Sequence, residues 1–586
     1  MNSIVMNSLL ETLEPRIAPA GIVNLTTANG VLTVTGTSDS NNILIYESAP
    51  GEWRVMESAP GGTLFSLNGN TAQPDQLMPA QNSIRVNLLG GAVDDLQLSN
   101  LTLSGDVTVT GGDGADNVVM FNTHIGGKLT ADLGNDIDYL GFDALSSIGG
   151  AVSLKMGAGS DTVLLNGGTY GAGMTVDLGK DGNTFLSIST ATIFGNLSIS
   201  NSGSLANTQT VSLGGSTSVG GNVTIKSTTS QLSLGIALGG GENVRIGGSV
   251  TIQGSAANDM MNLGNQVFIG GALNVQAGNG TNYLAQSTGT LVVGSLKYTG
   301  GSGDDSVTFG GTSFVTGAGA SINFGAGASN RLELTCSSSV KIAGGLALTG
   351  GTGAEDLIVQ TPLLTISGAL SFNAAAGNNS MTFKPVIGKV GSMSYTGGSG
   401  DDAIDIGDYT TGSVTRITVG GGMTVSVAGG NTFVNIRDTI VQGALRVTSS
   451  SVSGLSEWVR IHESTILGKT DVNLTGTAGS LVAMDDSTIL GAATISTGAG
   501  NDIVNLEKIA TGTNLLTFAG PVRVLLGADD DSFGAGMNPF SVNHGVNFLG
   551  TLFIDGGKGT DGAGFQLGYG NAFAVPATTA GLETVT

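Results

Sequence analysis

Apolar and polar residues alternate with a period of two in short segments, and small-residue corners interrupt the segments at regular intervals. Ile125-Gly126-Gly127-Lys128-Leu129, Ile148-Gly149-Gly150-Ala151-Val152-Ser153-Leu154, Val219-Gly220-Gly221-Asn222-Val223-Thr224-Ile225, Ile246-Gly247-Gly248-Ser249-Val250-Thr251-Ile252 and Ile269-Gly270-Gly271-Ala272-Leu273-Asn274-Val275 are copies of one phrase. Weaker copies start at Val293, Ile342, Ile366 and Val390. Each is followed by a Gly-rich loop that closes on Asp or Asn and opens a second alternating run, as in Gly300-Gly301-Ser302-Gly303-Asp304-Asp305-Ser306-Val307-Thr308-Phe309. The alternation predicts that Leu296, Tyr298, Val307 and Phe309 share one face while Lys297 and Thr308 point the other way.

A strand of four or five residues with one apolar face cannot bury that face alone, so successive repeats must stack and share a core. The repeat spans about 23 to 25 residues, β-branched residues dominate it, and no helical apolar stripe occurs beyond the first 16 residues. The fold class expected is all-β: a parallel β-helix, or β-solenoid, of about twenty coils, taken as right-handed. Glycine, 98 residues in all, then serves corners rather than flexibility. Six of the eleven prolines lie at or before Pro79, and none lies between Pro79 and Pro362, which suits uninterrupted backbone pairing. The expected division is a targeting segment over 1–20, a turn-rich β cap over 21–95 and the solenoid over 96–586. Leu273, Leu296, Val307, Leu346, Leu370 and Phe372 are the expected core rows.

The loop acid carries a second periodicity. In mid-chain it runs Asp259, Asn282, Asp305, Asn330, Asp356, Asn379, Asp402, Asn431, acid alternating with amide coil by coil. Carboxylates stacked ~4.8 Å apart repel by about 1 kcal/mol in water and several times that at an effective dielectric of 20, and an interposed amide relieves this by supplying a donor. One reading is therefore an Asp/Asn ladder that holds the corner in register.

The other reading is calcium. Gly111 to Val119, Gly300 to Thr308 and Gly397 to Asp405 match the nonapeptide G-G-x-G-x-D-x-U-x, with near matches at Gly157 to Val163 and Gly498 to Val504. These loops resemble those of RTX calcium-binding β-roll proteins. The resemblance implies calcium at Asp116, Asp161, Asp304, Asp305, Asp401 and Asp402. RTX nonapeptides come in tandem, whereas each loop here stands alone in a longer coil and supplies only half of such a site.

With 21 basic against 44 acidic residues the net charge is −23, which opposes nucleic acid and anionic lipid as partners. Neither an ordinary secretory signal nor a membrane-spanning stretch is recognisable. The lone Cys336 excludes an intramolecular disulfide and reads as a small core residue. Leu13-Glu14-Pro15-Arg16-Ile17 resembles the LEPR segment found near the N-terminus of large, repeat-rich bacterial surface proteins. That resemblance implies an exported, envelope-associated protein.

Parallel β-helices also host polysaccharide lyases and hydrolases, which need acids, a base or a metal gathered on neighbouring coils. The acid pairs Asp304-Asp305, Asp401-Asp402, Asp485-Asp486 and the run Asp529-Asp530-Asp531 lie on repeated loops, as a structural role predicts. His124, His462 and His544 stand in unrelated contexts and read as surface residues of a strand or corner. Trp53 and Trp458 read as packing residues. The expected function is thus non-enzymatic: an extracellular, structural or adhesive β-solenoid of a bacterial surface, with end-to-end self-association and a surface polysaccharide as its partners. A carbohydrate-active β-helix enzyme and an RTX-like calcium module are the alternatives.

Overall fold

The computed structural model describes residues 21–58, 62–90, 93–204, 206–407, 416–452, 454–507, 515–536, 545–565 and 571–585. The LEPR-type segment, the rest of residues 1–20, and His544 lie outside them. The described residues contain no helix. Strand accounts for 59% of the structure, in stacked parallel turns that form a β-solenoid of about 20 turns. By contact density the chain divides into two compact units, Met1–Ser200 and Asn201–Thr586.

The first unit begins with antiparallel pairs. Ile22–Ala28 folds back on Val31–Thr35 through Asn29-Gly30, whose φ values of 51° and 75° are those of a two-residue hairpin turn. Asn42–Ala49, Glu52–Met56 and Asp75–Pro79 pair antiparallel in that order. Trp53 is fully buried there, as a packing residue should be. From Asp94 onward the pairing is parallel, with Asp116–Phe121 lying between Asp94–Ser99 and Tyr139–Phe142.

In the second unit a representative coil contains the strands Asp305–Phe309, Ser313–Thr316 and Ala320–Asn323. Each pairs in parallel with its counterparts one coil away. Leu296, Tyr298, Val307 and Phe309 are all buried while Lys297 is exposed, as the alternation requires. The register stacks Leu273 on Leu296, Leu296 on Ala320, Ala320 on Leu346 and Leu346 on Leu370, one continuous inward row. Aromatic rows use the same geometry: Phe518, Phe548 and Phe573 stack with centroids 5.5 and 5.2 Å apart. Cys336 is buried and its thiol points to the Phe309 carbonyl oxygen at 3.3 Å, a core position in which burial pushes the thiol pKa up to about 11.

The glycine pair at the corner is required by close approach of backbones. A Cβ on Gly149 would sit 2.7 Å from the Gly126 carbonyl oxygen of the preceding coil, so a side chain there would push the coils apart. The glycine five residues before the loop acid answers a different need. A Cβ on Gly300 or Gly397 would occupy the space of the Asp305 or Asp402 carboxylate.

Candidate functional site

The loop acids divide by position. Asp116, Asp161, Asp305 and Asp402 are buried on the inward row, whereas Asp304 and Asp401, one residue earlier, face outward. Consecutive amides of a parallel strand point to opposite neighbours, and the two rows exploit that. On the inward row the N–H of one coil donates to the carboxyl or amide oxygen of the next: Asp116 to Asp138 at 2.9 Å, Asp138 to Asp161 at 3.0 Å, Asp259 to Asn282 at 3.1 Å and Asp305 to Asn330 at 3.0 Å. On the outward row the direction reverses. The Ser329 N–H donates back to Asp304 at 2.9 Å and the Asn431 N–H back to Asp401 at 2.7 Å. The pair Asp304-Asp305 is therefore tied to the next coil twice, in opposite directions, at Ser329 and Asn330.

The amide's role as donor is also realised. Asn282 Nδ2 donates to Asp305 Oδ1 at 2.9 Å, and Asn379 Nδ2 to Asp402 Oδ1 at 2.8 Å. Tyr395 Oη adds a second donor to Asp402 at 2.9 Å. Two members of the expected series are corrected. Glu355, not Asp356, and Thr432, not Asn431, occupy the inward row. Register is counted from the glycine that opens the loop, and five residues after Gly350 comes Glu355, whose Oε1 accepts the Gly351 N–H at 2.8 Å. Asp356 and Asn431 belong to the outward side.

In the first unit no amide intervenes: Asp94, Asp116, Asp138 and Asp161 succeed one another, all at most 1% exposed. Burial is the main cause that lifts their pKa values, with like charge from neighbouring acids adding to it for Asp116 and Asp138. Asp116 rises to about 7, Asp138 to about 8 and Asp161 to about 6. In the amide-spaced series Asp305 still rises to about 6, again through burial, with the Asn282 amide opposing the shift. Asp116 Oδ1, Asp161 Oδ2, Asp305 Oδ2 and Asp402 Oδ2 have no hydrogen-bond partner.

A second polar cluster lies at another corner of the second unit. Arg437, His462 and Asp485 are in register on successive coils. Each is followed by an acid in the left-handed region, Asp438, Glu463 and Asp486 at φ 47°, 49° and 49°. After each acid comes Thr439, Ser464 or Ser487, whose hydroxyl closes the turn onto the carbonyl two residues back at 2.7 to 2.8 Å. His462 is 1% exposed, which corrects its expected surface placement: Glu457, Val459 and Ile461 are the inward residues of Ser456–His462, and His462 breaks the alternation at the left-handed corner that follows. His124 is exposed, as expected.

Around His462, Arg437 donates from Nε and reaches with its other nitrogen to Glu463 Oε2 at 2.9 and 2.8 Å. Glu463 Oε1 lies 3.6 Å from His462 Nε2, and Asp486 Oδ2 lies 3.9 Å from His462 Nδ1. Burial holds the imidazole well below its usual pKa, with Glu463 opposing and Arg460 and Arg437 reinforcing the shift. Glu507, one coil on, accepts the N–H groups of Asp486 and Leu516 at 3.0 Å, and burial raises it to about 8. Among the described residues, His462, Glu463 and Asp486 are the group of three whose ligand atoms all lie within 4.8 Å of one another; none of the six loop acids joins such a group. The sequence signal for this site was the triplet Arg437-Asp438-Thr439, His462-Glu463-Ser464, Asp485-Asp486-Ser487, recurring one coil apart. Trp458, stacked edge-on against Phe433 at 4.8 Å, is partly exposed.

No helix among the described residues is long and apolar enough to cross a membrane. No protein-family model, curated protein sequence or solved structure matches the chain.

Proposed function

We propose that this protein is a non-enzymatic structural or adhesive β-solenoid, exported to a bacterial cell surface or extracellular matrix. One observation carries the reading: the inward and outward ladders repeat the same side-chain-to-backbone bonds coil after coil. Acids spent on clamping neighbouring coils serve mechanical continuity, and the pairs Asp304-Asp305 and Asp401-Asp402 are among them. The LEPR-type segment supports export, and the acidic balance of the chain suits a solvated surface. Self-association and contact with a surface polysaccharide belong to the same reading.

The test has two arms. Protease treatment of intact cells should remove the protein before any cytoplasmic marker is lost, and a chain protected until lysis would overturn surface placement. Purified protein incubated with a panel of acidic and neutral polysaccharides should release no reducing ends or unsaturated sugars. Their release, and its loss on mutation of a loop acid, would establish the enzyme instead.

Calcium at the loop acids is the second reading, favoured by the unpartnered buried oxygens of Asp305 and Asp402. A drop in melting temperature on chelation, reversed by Ca2+, would support it.

A further inference from the structure

We propose that His462, Glu463 and Asp486 form a binding site for a divalent transition-metal ion of the zinc class, which would staple two successive coils at their shared corner. The ring nitrogen His462 Nδ1 has no hydrogen-bond partner although the residue is 1% exposed. It faces Asp486 Oδ2 at 3.9 Å, too far for a hydrogen bond. A buried polar atom left in this state destabilises the fold, and a cation between an imidazole nitrogen and a carboxylate removes that cost.

Glu463 supplies the third ligand atom, which lies within 4.8 Å of those of His462 and Asp486. Arg437 occupies its Oε2 and thereby turns Oε1 toward the imidazole, the kind of orienting contact that metal ligands commonly receive from an outer shell. The local charge points the same way. Among the described residues, Asp438, Glu463, Asp485 and Asp486 bring four carboxyl groups to the corner against the two guanidiniums of Arg437 and Arg460. The excess is negative, in a place where charge is poorly solvated.

The donor set selects the ion. One imidazole nitrogen and two carboxylates suit zinc and its neighbours, whereas calcium takes oxygen ligands in larger number. Three protein ligands leave a coordination position for water. Because His462 and Glu463 belong to one coil and Asp486 to the next, the ion would join elements that are otherwise held by backbone pairing and the Ser/Thr ladder.

The experiment uses the untagged full-length chain, stripped with chelator, desalted and loaded with Zn2+ or Ca2+. Metal per chain is measured by elemental mass spectrometry, and Co2+ loading is followed by visible absorption. The expected result is one Zn2+ per chain that survives desalting and is not displaced by excess Ca2+, together with a Co2+ band. His462→Gln and Asp486→Asn should each weaken Zn2+ binding about tenfold or more. Hydrogen exchange over Leu273 and Leu296 checks that these variants keep their distant coils, and Glu463→Gln, at the most exposed ligand, provides a milder change. Substoichiometric Zn2+ on the wild-type chain would overturn the proposal whatever the variants do. So would stoichiometric Zn2+ retained by a folded His462→Gln/Asp486→Asn double variant.

Discussion

Replacing Asp138 with Asn tests the cost of an unbroken acid ladder. Asp138 sits between Asp116 and Asp161, its Oδ1 accepting the Asp116 N–H at 2.9 Å and its own N–H donating to Asp161 at 3.0 Å. Its folded pKa is raised to about 8 from 3.8, first by burial and then by the charges of Asp161 and Asp116. A carboxyl raised in this way contributes its full stability below pH 4, where both states hold the proton. It loses that stability as pH rises from 4 through 8, because unfolding then releases a proton that the fold retains. At about 1.4 kcal/mol per pKa unit the loss approaches about 4 kcal/mol by pH 7, and sharing of protons along the row reduces it to about 2–4 kcal/mol.

An asparagine at this position would keep the acceptor for Asp116 and would add a donor aimed at Asp161, the geometry already seen for Asn282 with Asp305 at 2.9 Å. Asp138→Asn should therefore stabilise the coil at pH 7 and show no gain near pH 4. Asp138→Leu, which leaves the Asp116 N–H without its acceptor, should cost about 1–3 kcal/mol near pH 4 and, because it also removes the titrating carboxyl, less at pH 7, while remaining below Asp138→Asn at both. Stability in a solenoid is local, so the assay is hydrogen exchange at Asp116, Asn117 and Tyr139 as a function of pH rather than a global melt alone. If Asp138→Asn loosens these amides at pH 7 as much as Asp138→Leu does, stacked buried carboxyls are not what costs the first unit its stability, and the explanation is refuted.

Three further outcomes are expected. Asp305→Asn should be tolerated better than Asp305→Leu in thermal melts with and without chelator, because the Asn282 amide needs an acceptor oxygen at that position more than a charge; equal losses, with a comparable chelator effect on wild type, would favour calcium. Glu355→Leu should lower the midpoint of local unfolding while Asp356→Asn leaves it within about 0.5 kcal/mol, reading out which residue holds the Gly351 N–H. Leu346→Ala should cost about 2–5 kcal/mol, read by hydrogen exchange mainly over Ala320–Asn323 and Leu363–Ala375, the strands stacked on it.

The coil architecture was legible because a period of two leaves little freedom. Once Leu296 is inward, Tyr298 must be, and the next coil's Ala320 and Ile322 stack on them. The inward acids at Asp116, Asp161, Asp305 and Asp402 followed from the same register. Asp356 was misplaced because an acid pair offers two candidates, Glu355 and Asp356, and only the distance from the opening glycine separates inside from outside. His462 escaped because its partners lie one coil away on either side. The triplet that joins Arg437, His462 and Asp485 varies at its first position and recurs only one coil apart, and a histidine at a strand end is read as exposed unless the corner after it is known to turn inward. The reversal at that corner comes from left-handed residues that are Asp and Glu rather than glycine, so composition gave no warning.

The two ladders also account for where the chain tolerates charge. An outward acid such as Asp304 or Asp401 keeps water on one side and needs no neutral neighbour, so its row accepts carboxylates freely. An inward acid has no such outlet. It must be separated by amides, as at Asn282, Asn330 and Asn379, or keep a proton, as the elevated values at Asp116, Asp138 and Asp161 require. Substituting amides along the inward row of the first unit should therefore flatten the pH dependence of its coils step by step, whereas the same substitutions on the outward row should leave it unchanged. Native-state hydrogen exchange at pH 5 and pH 8 on matched sets, Asp116→Asn with Asp138→Asn against Asp304→Asn with Asp401→Asn, separates the two. An outward set that removes as much pH dependence as the inward one would show that the charge of the whole chain, rather than the stacking of buried carboxyls, controls its stability.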